Sequence, residues 1–342
     1  MLYMIMTTPT CNLHCSYCGG SLHGMPTDIS YDDELLIQLI SKDDNAVVAF
    51  YGGEPLLRPK KIKQYLEILP AKHFVINTNG YFIQDIEEYL SSFDSILLSI
   101  DGRKHITDSY REKGCYDQVL TARDIIYDSS FQGELIARMA VSKYTDIYKD
   151  VNHLLNYFPL VHWQLDVVWS ALWDLPDFQQ WVETNYKPGL KRLITEWIQS
   201  IQNNRLAGII PFRGIMTRLL FKEPVGLPCQ AGDNALAITT DGKILACPIA
   251  PDYEWNELGT ISYGFNRIYV SEPCPSCEVY TVCGGRCLFA NKERLWGKNG
   301  FDSICEVTKF LIQELNQYCD VCDKVKDHIK YPPFNNTTEI IP

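Results

Sequence analysis

Three cysteines stand close together near the start of the chain, at Cys11, Cys15 and Cys18. They directly follow a short apolar segment that predicts a β-strand, so they occupy the loop at its carboxyl end. Three thiolates on one loop can hold three of the four irons of a 4Fe–4S cube and leave the fourth iron open to a substrate. A structural zinc site completed by His14 or His23 is the alternative.

A second polar motif ends the next apolar run, at Gly52, Gly53, Glu54 and Pro55. Paired glycines let a ligand approach the backbone closely. The carboxylate of Glu54 can accept hydrogen bonds from an ammonium group. In isolation the motif is typical of an ordinary turn between a strand and a helix.

Small polar residues also end the third and fourth apolar runs. Asn77 and Asn79 follow one, and Ser99 and Asp101 follow the other. These side chains could bind a ribose or a methionine carboxylate. Arg138 interrupts an otherwise apolar strand candidate and could pair with a carboxylate, or with a structural acidic partner.

The elements that position these residues alternate between strand and helix patterns at about thirty-residue spacing. Such βα repeats predict an α/β fold with a parallel sheet or a partial barrel, in which chemistry sits at the carboxyl ends of the strands. The predicted strands are Leu2–Met6, Ala46–Tyr51, Phe74–Asn77, Ile96–Ile100, Leu135–Val141 and Trp163–Val168. The predicted helices are Asp33–Ile40, Lys61–Leu69, Asp85–Leu90, Tyr116–Tyr127, Lys149–Tyr157 and Leu190–Ile201.

Seven further cysteines form a second set with regular spacing: Cys229, Cys247, Cys274, Cys277, Cys283, Cys287 and Cys305. Seven thiols are too many for one tetrahedral zinc site and one short of filling two cubes, although two zinc sites are an alternative. Cys319 and Cys322 lie outside the pattern, as packing residues or supplementary ligands. Cys115 stands alone and is expected to be a buried or loop thiol.

Proline and glycine residues that favour turns divide the chain into four predicted parts. Residues 1–210 are predicted to form the barrel and residues 211–228 a linker. Residues 229–322 show few regular elements, so we expect metal rather than an apolar core to order them. Residues 323–342 resemble a flexible tail.

Composition narrows the class of protein. The 342 residues carry thirteen cysteines and a formal net charge of −11, which argues against a nucleic-acid partner. No apolar stretch is long enough to span a membrane, and the first residues lack the basic region of a signal peptide. Cysteines clustered in this way indicate metal sites in a reducing cytoplasm rather than a secreted disulfide framework.

These motifs together resemble the radical S-adenosylmethionine (SAM) enzymes. The first three cysteines match that family's cluster signature, with Tyr17 as the aromatic residue before the third, and residues 52–55 match its methionine-amino-group motif. Ser99 and Arg138 fall where the family's ribose and carboxylate contacts usually lie. The resemblance covers roughly residues 1–170. It implies a partial (β/α)6 barrel that reductively cleaves SAM to a 5′-deoxyadenosyl radical, with electrons from a donor such as ferredoxin or flavodoxin.

The second cysteine set resembles the SPASM extension of radical enzymes that modify peptides and proteins. The resemblance implies two auxiliary 4Fe–4S clusters, three clusters in all. It assigns the nearer auxiliary cluster to Cys229, Cys247 and Cys287, and the outer one to Cys274, Cys277, Cys283 and Cys305. The nearer cluster then lacks a fourth cysteine, so either another residue completes it or its fourth iron is open to substrate.

The expected activity is modification of a ribosomally made peptide, by crosslink, thioether formation, dehydrogenation or epimerisation. Maturation of a sulfatase or another protein is the alternative, although an acidic residue commonly follows the cysteine that matches Cys247, and here Pro248 does. Asp166, Asp252 and Glu254 are candidate bases. A small-molecule radical dehydrogenase and a non-catalytic electron-transfer or zinc-stabilised protein are further alternatives. With ten residues before the first cysteine, no leader-binding domain is expected.

Overall fold

Ten strands in one sheet form the centre of the molecule. The computed structural model describes residues 1–18, 24–166, 171–223, 225–331, 334–338 and 340–342. The strands are β1 Leu2–Thr8, β2 Val47–Gly52, β3 His73–Thr78, β4 Ser95–Ser99, β5 Glu134–Val141, β6 Leu160–Leu165, β7 Ala235–Ile238, β8 Lys243–Leu245, β9 Glu257–Thr260 and β10 Gly264–Phe265.

The order of the strands is β10-β9-β8-β7-β1-β2-β3-β4-β5-β6. Strands β1 to β6 are all parallel, with Tyr3 opposite Val48 between β1 and β2. This confirms the predicted α/β fold with a partial (β/α)6 barrel. Strand β7 adds to the other edge of β1 in parallel, and β8, β9 and β10 follow it as antiparallel partners.

The cysteine-rich part of the chain therefore continues the sheet of the barrel, and the expectation of few regular elements there is wrong. Its apolar residues, including those of a twenty-residue helix, pack into the main core. Burial of apolar surface, rather than metal alone, orders this part of the chain.

Helices pack against the sheet. They are α1 Asp33–Ile40, α2 Pro59–Ile68, α3 Lys104–Tyr110, α4 Cys115–Asp128, α5 Ile147–Leu155, α6 Leu175–Trp181, α7 Lys187–Gln202, α8 Ile210–Phe221, α9 Tyr280–Cys283, α10 Leu288–Glu293, α11 Gly297–Asn316, α12 Cys319–Asp323 and α13 Lys326–Ile329. Several of the later ones pack on α7 and α8. Short 3₁₀ segments lie at Pro55–Leu57, Ile83–Ser92 and Glu254–Asn256, and a π turn at Val182–Tyr186. No helix of the described residues is long and apolar enough to cross a membrane.

Alternation along each strand sorts side chains into two cores. Tyr3 and Ile5 face the helices, whereas Leu2, Met4 and Met6 face the lumen of the barrel, where they meet the inward residues of the neighbouring strands. Because the side chains toward the carboxyl ends of these strands become polar, the lumen ends in a polar site.

Three boundaries differ from those expected. The predicted linker contains α8, where Pro211 stands in the first turn and begins the helix because its ring fixes a helical φ. Strand β6 begins three residues before the predicted Trp163 and ends at Leu165, and residues 167–170 lie outside the described part of the chain.

The expected flexible tail is also wrong for its described residues. Tyr331, Asn336, Thr337, Ile340 and Ile341 are all buried. Tyr331 packs in the lumen cluster and Ile340 and Ile341 in the main core, so these residues are part of the packed interior.

Candidate active site

The loop after β1, residues 9–18, carries the three predicted ligands and is termed the first cysteine loop. Its backbone turns so that the Cys18 amide donates to the Cys15 carbonyl at 3.0 Å. Cys11 and Cys18 are exposed and Cys15 is half-buried. Burial is the main cause that raises the pKa of the Cys15 thiol to about 12, and the neighbouring Cys18 and Cys11 add to it. The three thiols are therefore close enough for their charges to repel.

This arrangement fits an iron–sulfur cluster. Thiols must lose their protons to bind metal, and a cation among them removes the mutual repulsion that raises their pKa. His14, one of the two histidines that might complete a zinc site, is 90% exposed and its Nδ1 lies 3.7 Å from Glu112 Oε1. His23, the other, lies outside the described residues. Within the described ranges, no three His, Cys, Asp or Glu side chains are grouped tightly enough to hold a single metal ion.

Asp101 anchors the first cysteine loop to the barrel. Its fully buried carboxylate accepts two hydrogen bonds from Arg111, at 2.8 and 2.9 Å, and one from the Tyr17 hydroxyl at 2.9 Å. The Ala140 amide of β5 donates a fourth at 2.9 Å. The prediction that Asp101 contacts a ribose or a methionine carboxylate is therefore wrong, because all its acceptor positions serve the protein. Tyr17, predicted as a cofactor residue, is the buried link between this carboxylate and the cysteines.

Hydrogen bonds to Glu54 connect the end of β2 with the end of β3. Its carboxylate accepts from the Leu56 amide at 2.9 Å, the Thr78 hydroxyl at 2.7 Å and the Asn79 amide at 2.8 Å. Burial raises its pKa to about 7 even though these three donors lower it. An ammonium was expected to use this carboxylate, but the protein's own donors occupy three of its positions.

The two glycines before Glu54 let the end of β2 lie directly against the first cysteine loop. The Gly53 amide donates to the Thr8 carbonyl at 2.9 Å, and the Glu54 amide to the Thr10 carbonyl at 2.8 Å. A Cβ on Gly53 would stand 2.1 Å from the Thr10 carbonyl oxygen, and one on Gly52, with φ of +136°, 2.3 Å from that of Thr8. Pro55 follows as the first residue of a buried turn.

The predicted asparagines at the end of β3 take two different roles. The Asn79 side chain donates to Asn12 Oδ1 at 2.8 Å within the first cysteine loop. The Asn77 side chain donates to the Thr337 hydroxyl at 3.0 Å, and its buried Oδ1 accepts no hydrogen bond among the described residues. Asn79 thus positions the cysteines, whereas Asn77 faces the lumen.

Ser99 and Arg138 are paired across β4 and β5. The Arg138 guanidinium donates to Gln164 Oε1 at 2.8 Å, one strand further along. Sequence reasoning missed Gln164 as a site residue, although the alternation of β6 places it on the inward face. These side chains present hydroxyl, guanidinium and amide groups to the lumen at the strands' carboxyl ends.

A cavity of about 110 Å³ joins this face of the barrel to the second cysteine set. Arg138 and Gln164 line it. Cys229, Cys247 and Cys287, here named the nearer trio, also line it. The three cysteines that the resemblance assigned to the nearer cluster therefore border the same cavity.

The remaining four, named the outer quartet, also lie together. They are Cys274, Cys277, Cys283 and Cys305. Burial raises the pKa of the Cys305 thiol to about 12, and the other three of the quartet raise it further. Asn291 donates to the Cys274 sulfur at 3.3 Å. The quartet thus has four mutually repelling thiols, which is the donor set that a closed cube takes.

The other cysteines are placed apart from these groups. Cys115 is buried at the start of α4, where burial raises its pKa to about 11. Cys322 is fully buried in the main core, and Cys319 lies 4.0 Å from the Met216 sulfur. These contacts are those of packing residues. Of the candidate bases, Asp166 accepts a hydrogen bond from the Trp173 indole, and Asp252 and Glu254 are exposed.

Two arginines that sequence reasoning overlooked hold the site together. Arg111 is buried against Asp101, and no spacing signal in its surroundings marks it. Arg286 lies in the cavity beside Cys287 and donates from Nε to the Pro342 carbonyl at 2.9 Å.

Comparison with known proteins agrees with this arrangement. Residues 5–149 match the model of the radical SAM superfamily. No curated protein matches the chain. A solved structure of anSMEcpe with bound AdoMet is 19% identical with a TM-score of 0.69, covering 96% of this chain and 100% of that one.

Two further solved structures contain peptides. AnSMEcpe with AdoMet and the Cp18Cys peptide is 19% identical with a TM-score of 0.69, over 96% of this chain and 99% of that chain. Streptococcus suis SuiB bound to its precursor peptide SuiA is 15% identical with a TM-score of 0.54, over 84% of this chain and 72% of that chain. The likeness extends through the cysteine-rich region. Residues 5–149 of the chain are therefore similar to the radical SAM superfamily, and the chain has the α/β fold of these solved structures.

Proposed function

We propose that this chain is a radical SAM enzyme with a SPASM extension that modifies a ribosomally made peptide. The carrying observation is the shared cavity of about 110 Å³, which is lined both by Arg138 and Gln164 and by the nearer trio. A target bound there would touch both the SAM side and an auxiliary centre. When bound, the first cluster supplies an electron that splits SAM into methionine and a 5′-deoxyadenosyl radical, which takes a hydrogen atom from the target.

The chain's own residues prepare this step. The first cysteine loop presents three thiolates for the cluster, and Asp101, through Tyr17, fixes the loop against the barrel. Arg138 offers a positive charge to the methionine carboxylate and Ser99 a hydroxyl to the ribose. The buried lumen excludes water, which protects a radical from side reactions.

The position of the nearer trio favours a reaction in which the target is oxidised after the hydrogen atom has been removed. A carbon radical that loses one further electron ends as a two-electron oxidation product, and that electron needs an acceptor within reach. Cys229, Cys247 and Cys287 line the cavity itself, and the outer quartet lies near it, because Arg286 lines the cavity and its charge lowers the pKa of Cys305. With iron bound, the two groups give that electron a path out toward a ferredoxin- or flavodoxin-like partner in the cytoplasm.

The peptide class has support from the two structural neighbours that were crystallised with peptides, SuiB with SuiA and anSMEcpe with Cp18Cys. Protein maturation of the sulfatase type is the second candidate, favoured by the whole-chain likeness to anSMEcpe. Pro248, in place of an acidic residue after Cys247, weighs against it.

Anaerobic reconstitution tests the cluster assignment. Three 4Fe–4S clusters correspond to about twelve irons per chain. Cys247→Ala and Cys274→Ala should each lose about four, and the matched control Cys319→Ala should keep all twelve. Zinc in stoichiometric amount, or an equal loss in Cys319→Ala, would contradict the assignment.

The gene neighbourhood supplies the substrate test: a peptide encoded by a short open reading frame beside the gene is the substrate to assay. Incubated with enzyme, SAM and dithionite, such a peptide should lose two mass units, or keep its mass and have one stereocentre inverted. Peptide deuterated at the modified carbon should pass one deuterium into 5′-deoxyadenosine. Modification of a neighbouring sulfatase instead would favour the second candidate.

A further inference from the structure

The described residues after Tyr331 lie inside the molecule rather than on its surface. Phe334 stacks on His73 at the amino end of β3, with ring centroids 4.5 Å apart. Further along, the Asn336 amide donates to Tyr331 at 2.8 Å and to Glu134 at 3.2 Å. The segment therefore enters the lumen at the amino-terminal ends of the strands.

The following residues lie progressively closer to the carboxyl ends of the strands. The Thr337 hydroxyl accepts a hydrogen bond from the Asn77 side chain near the carboxyl end of β3. Ile340 packs so closely on α8 that a Cβ on Gly214 would stand 2.1 Å from its Cγ2 atom. Ile341 and Pro342 then line the same cavity as Arg138 and the nearer trio.

Arg286 fastens this end to the cysteines. Its Nε donates to the Pro342 carbonyl at 2.9 Å, and its chain neighbour is Cys287. The arginine is 9% exposed, and its buried Nη1 makes no hydrogen bond among the described residues. This buried contact holds Pro342 beside Cys287 at the edge of the cavity.

We propose that Ile341 and Pro342 form a permanent wall of the catalytic cavity, which closes the lumen below the nearer trio and limits the space open to a substrate. This inference rests on the proposed function. The wall forms part of the lining of the cavity of about 110 Å³. We therefore expect a peptide to reach this cavity from the carboxyl ends of the strands.

The anchors argue for a wall that stays in place when substrate binds. They are spread along the whole segment, from Phe334 at one end of the barrel to Pro342 at the other. Withdrawal would expose buried isoleucines and leave Asn77, Asn336 and Arg286 without these partners. Each of those losses opposes release of the segment.

Hydrogen exchange on the intact, reconstituted enzyme tests the wall without any substrate. Amides of residues 336–338, 340 and 341 should exchange at least tenfold more slowly than in a synthetic peptide of the same sequence. Arg286→Gln should reduce that protection toward residues 340 and 341 while leaving strand β3 unchanged. Exchange within tenfold of the free peptide in the intact enzyme would overturn the proposal.

Iron release tests the shielding directly. Enzyme of known iron content is mixed anaerobically with the chelator bathophenanthroline disulfonate, and release is timed for the intact chain, a chain ending at Ile340, Arg286→Gln, and the exposed-surface control Tyr263→Ser. The shortened chain should release about a third of its iron at least tenfold faster, with Arg286→Gln intermediate. Equal rates in all four would overturn the wall.

Two further results distinguish failure of the wall proposal from unfolding of the shortened chain and from failure of the proposed function. If all iron leaves the shortened chain at one faster rate, that chain has unfolded, and Arg286→Gln alone must then show partial acceleration or the proposal fails. An intact enzyme that binds far fewer than about twelve irons contradicts the proposed function instead. The exchange experiment still decides the wall in that case.

Discussion

Asp101→Asn should destabilise the barrel and empty the first cysteine loop together. The substitution removes the charge that pairs with buried Arg111 and leaves one oxygen for the two donors Tyr17 and the Ala140 amide. Breaking a buried ion pair by removing one partner costs about 3–5 kcal/mol. We expect that loss in the free energy of unfolding, because the pair is shielded from solvent on both sides.

Anaerobic urea unfolding, followed by tryptophan fluorescence, measures this change. Two comparisons calibrate it. Tyr17→Phe removes one hydrogen bond to a charged acceptor and should cost about 1.5–3 kcal/mol. Glu257→Gln breaks the exposed pair with Lys243, for which about 0–1 kcal/mol is expected.

Iron content supplies the second reading of the same variants. Asp101→Asn should retain about eight of about twelve irons, because the nearer trio and outer quartet do not depend on this carboxylate. An Asp101→Asn protein within 1 kcal/mol of the parent and with full iron would refute Asp101 as the anchor of the first cysteine loop.

Three other substitutions are predicted. Gly53→Ala drives a Cβ into a backbone carbonyl of the first cysteine loop and should cost about 1–3 kcal/mol and lower SAM binding, whereas Gly226→Ala, with open space around it, should do neither. Burial raises the pKa of Glu54 to about 7, so the folded state binds its proton more tightly than the unfolded state; stability should fall as pH rises from about 4.5 through 7 in urea titrations, and Glu54→Gln should flatten that slope. Arg138→Met should weaken SAM binding about 10- to 150-fold by equilibrium dialysis, the value of a charge-assisted hydrogen bond, with exposed Arg267→Met unchanged. A pH slope unaltered in Glu54→Gln, or equal SAM affinity in Arg138→Met, would contradict the respective prediction.

Local patterns were enough to predict the parallel sheet. Strands such as β2 are short and mostly β-branched or apolar because both faces are buried, and helix α1 matches its predicted bounds of Asp33–Ile40. The resemblance assigned Cys229, Cys247 and Cys287 to one cluster, and these three cysteines line the same cavity. Proximity in sequence alone would have grouped Cys287 with Cys283, so this assignment depended on the resemblance.

Long-range partners could not be predicted in this way. Asp101 carries no mark that its partner is Arg111, ten residues on, rather than a ligand. The terminal segment reads as a polar, proline-containing tail, and only the packed barrel shows that Asn336 and Ile340 find buried partners there. In both cases the deciding interaction joins elements whose proximity depends on the whole fold.

Cleavage of SAM tests the central claim most directly. Reconstituted enzyme reduced with dithionite is given SAM, and 5′-deoxyadenosine is quantified by liquid chromatography and mass spectrometry. The parent and the control Cys319→Ala should release it, and Cys15→Ala should release none above background while keeping the iron of the second cysteine set. Undiminished release from Cys15→Ala would contradict the assignment of Cys11, Cys15 and Cys18 to the catalytic cluster.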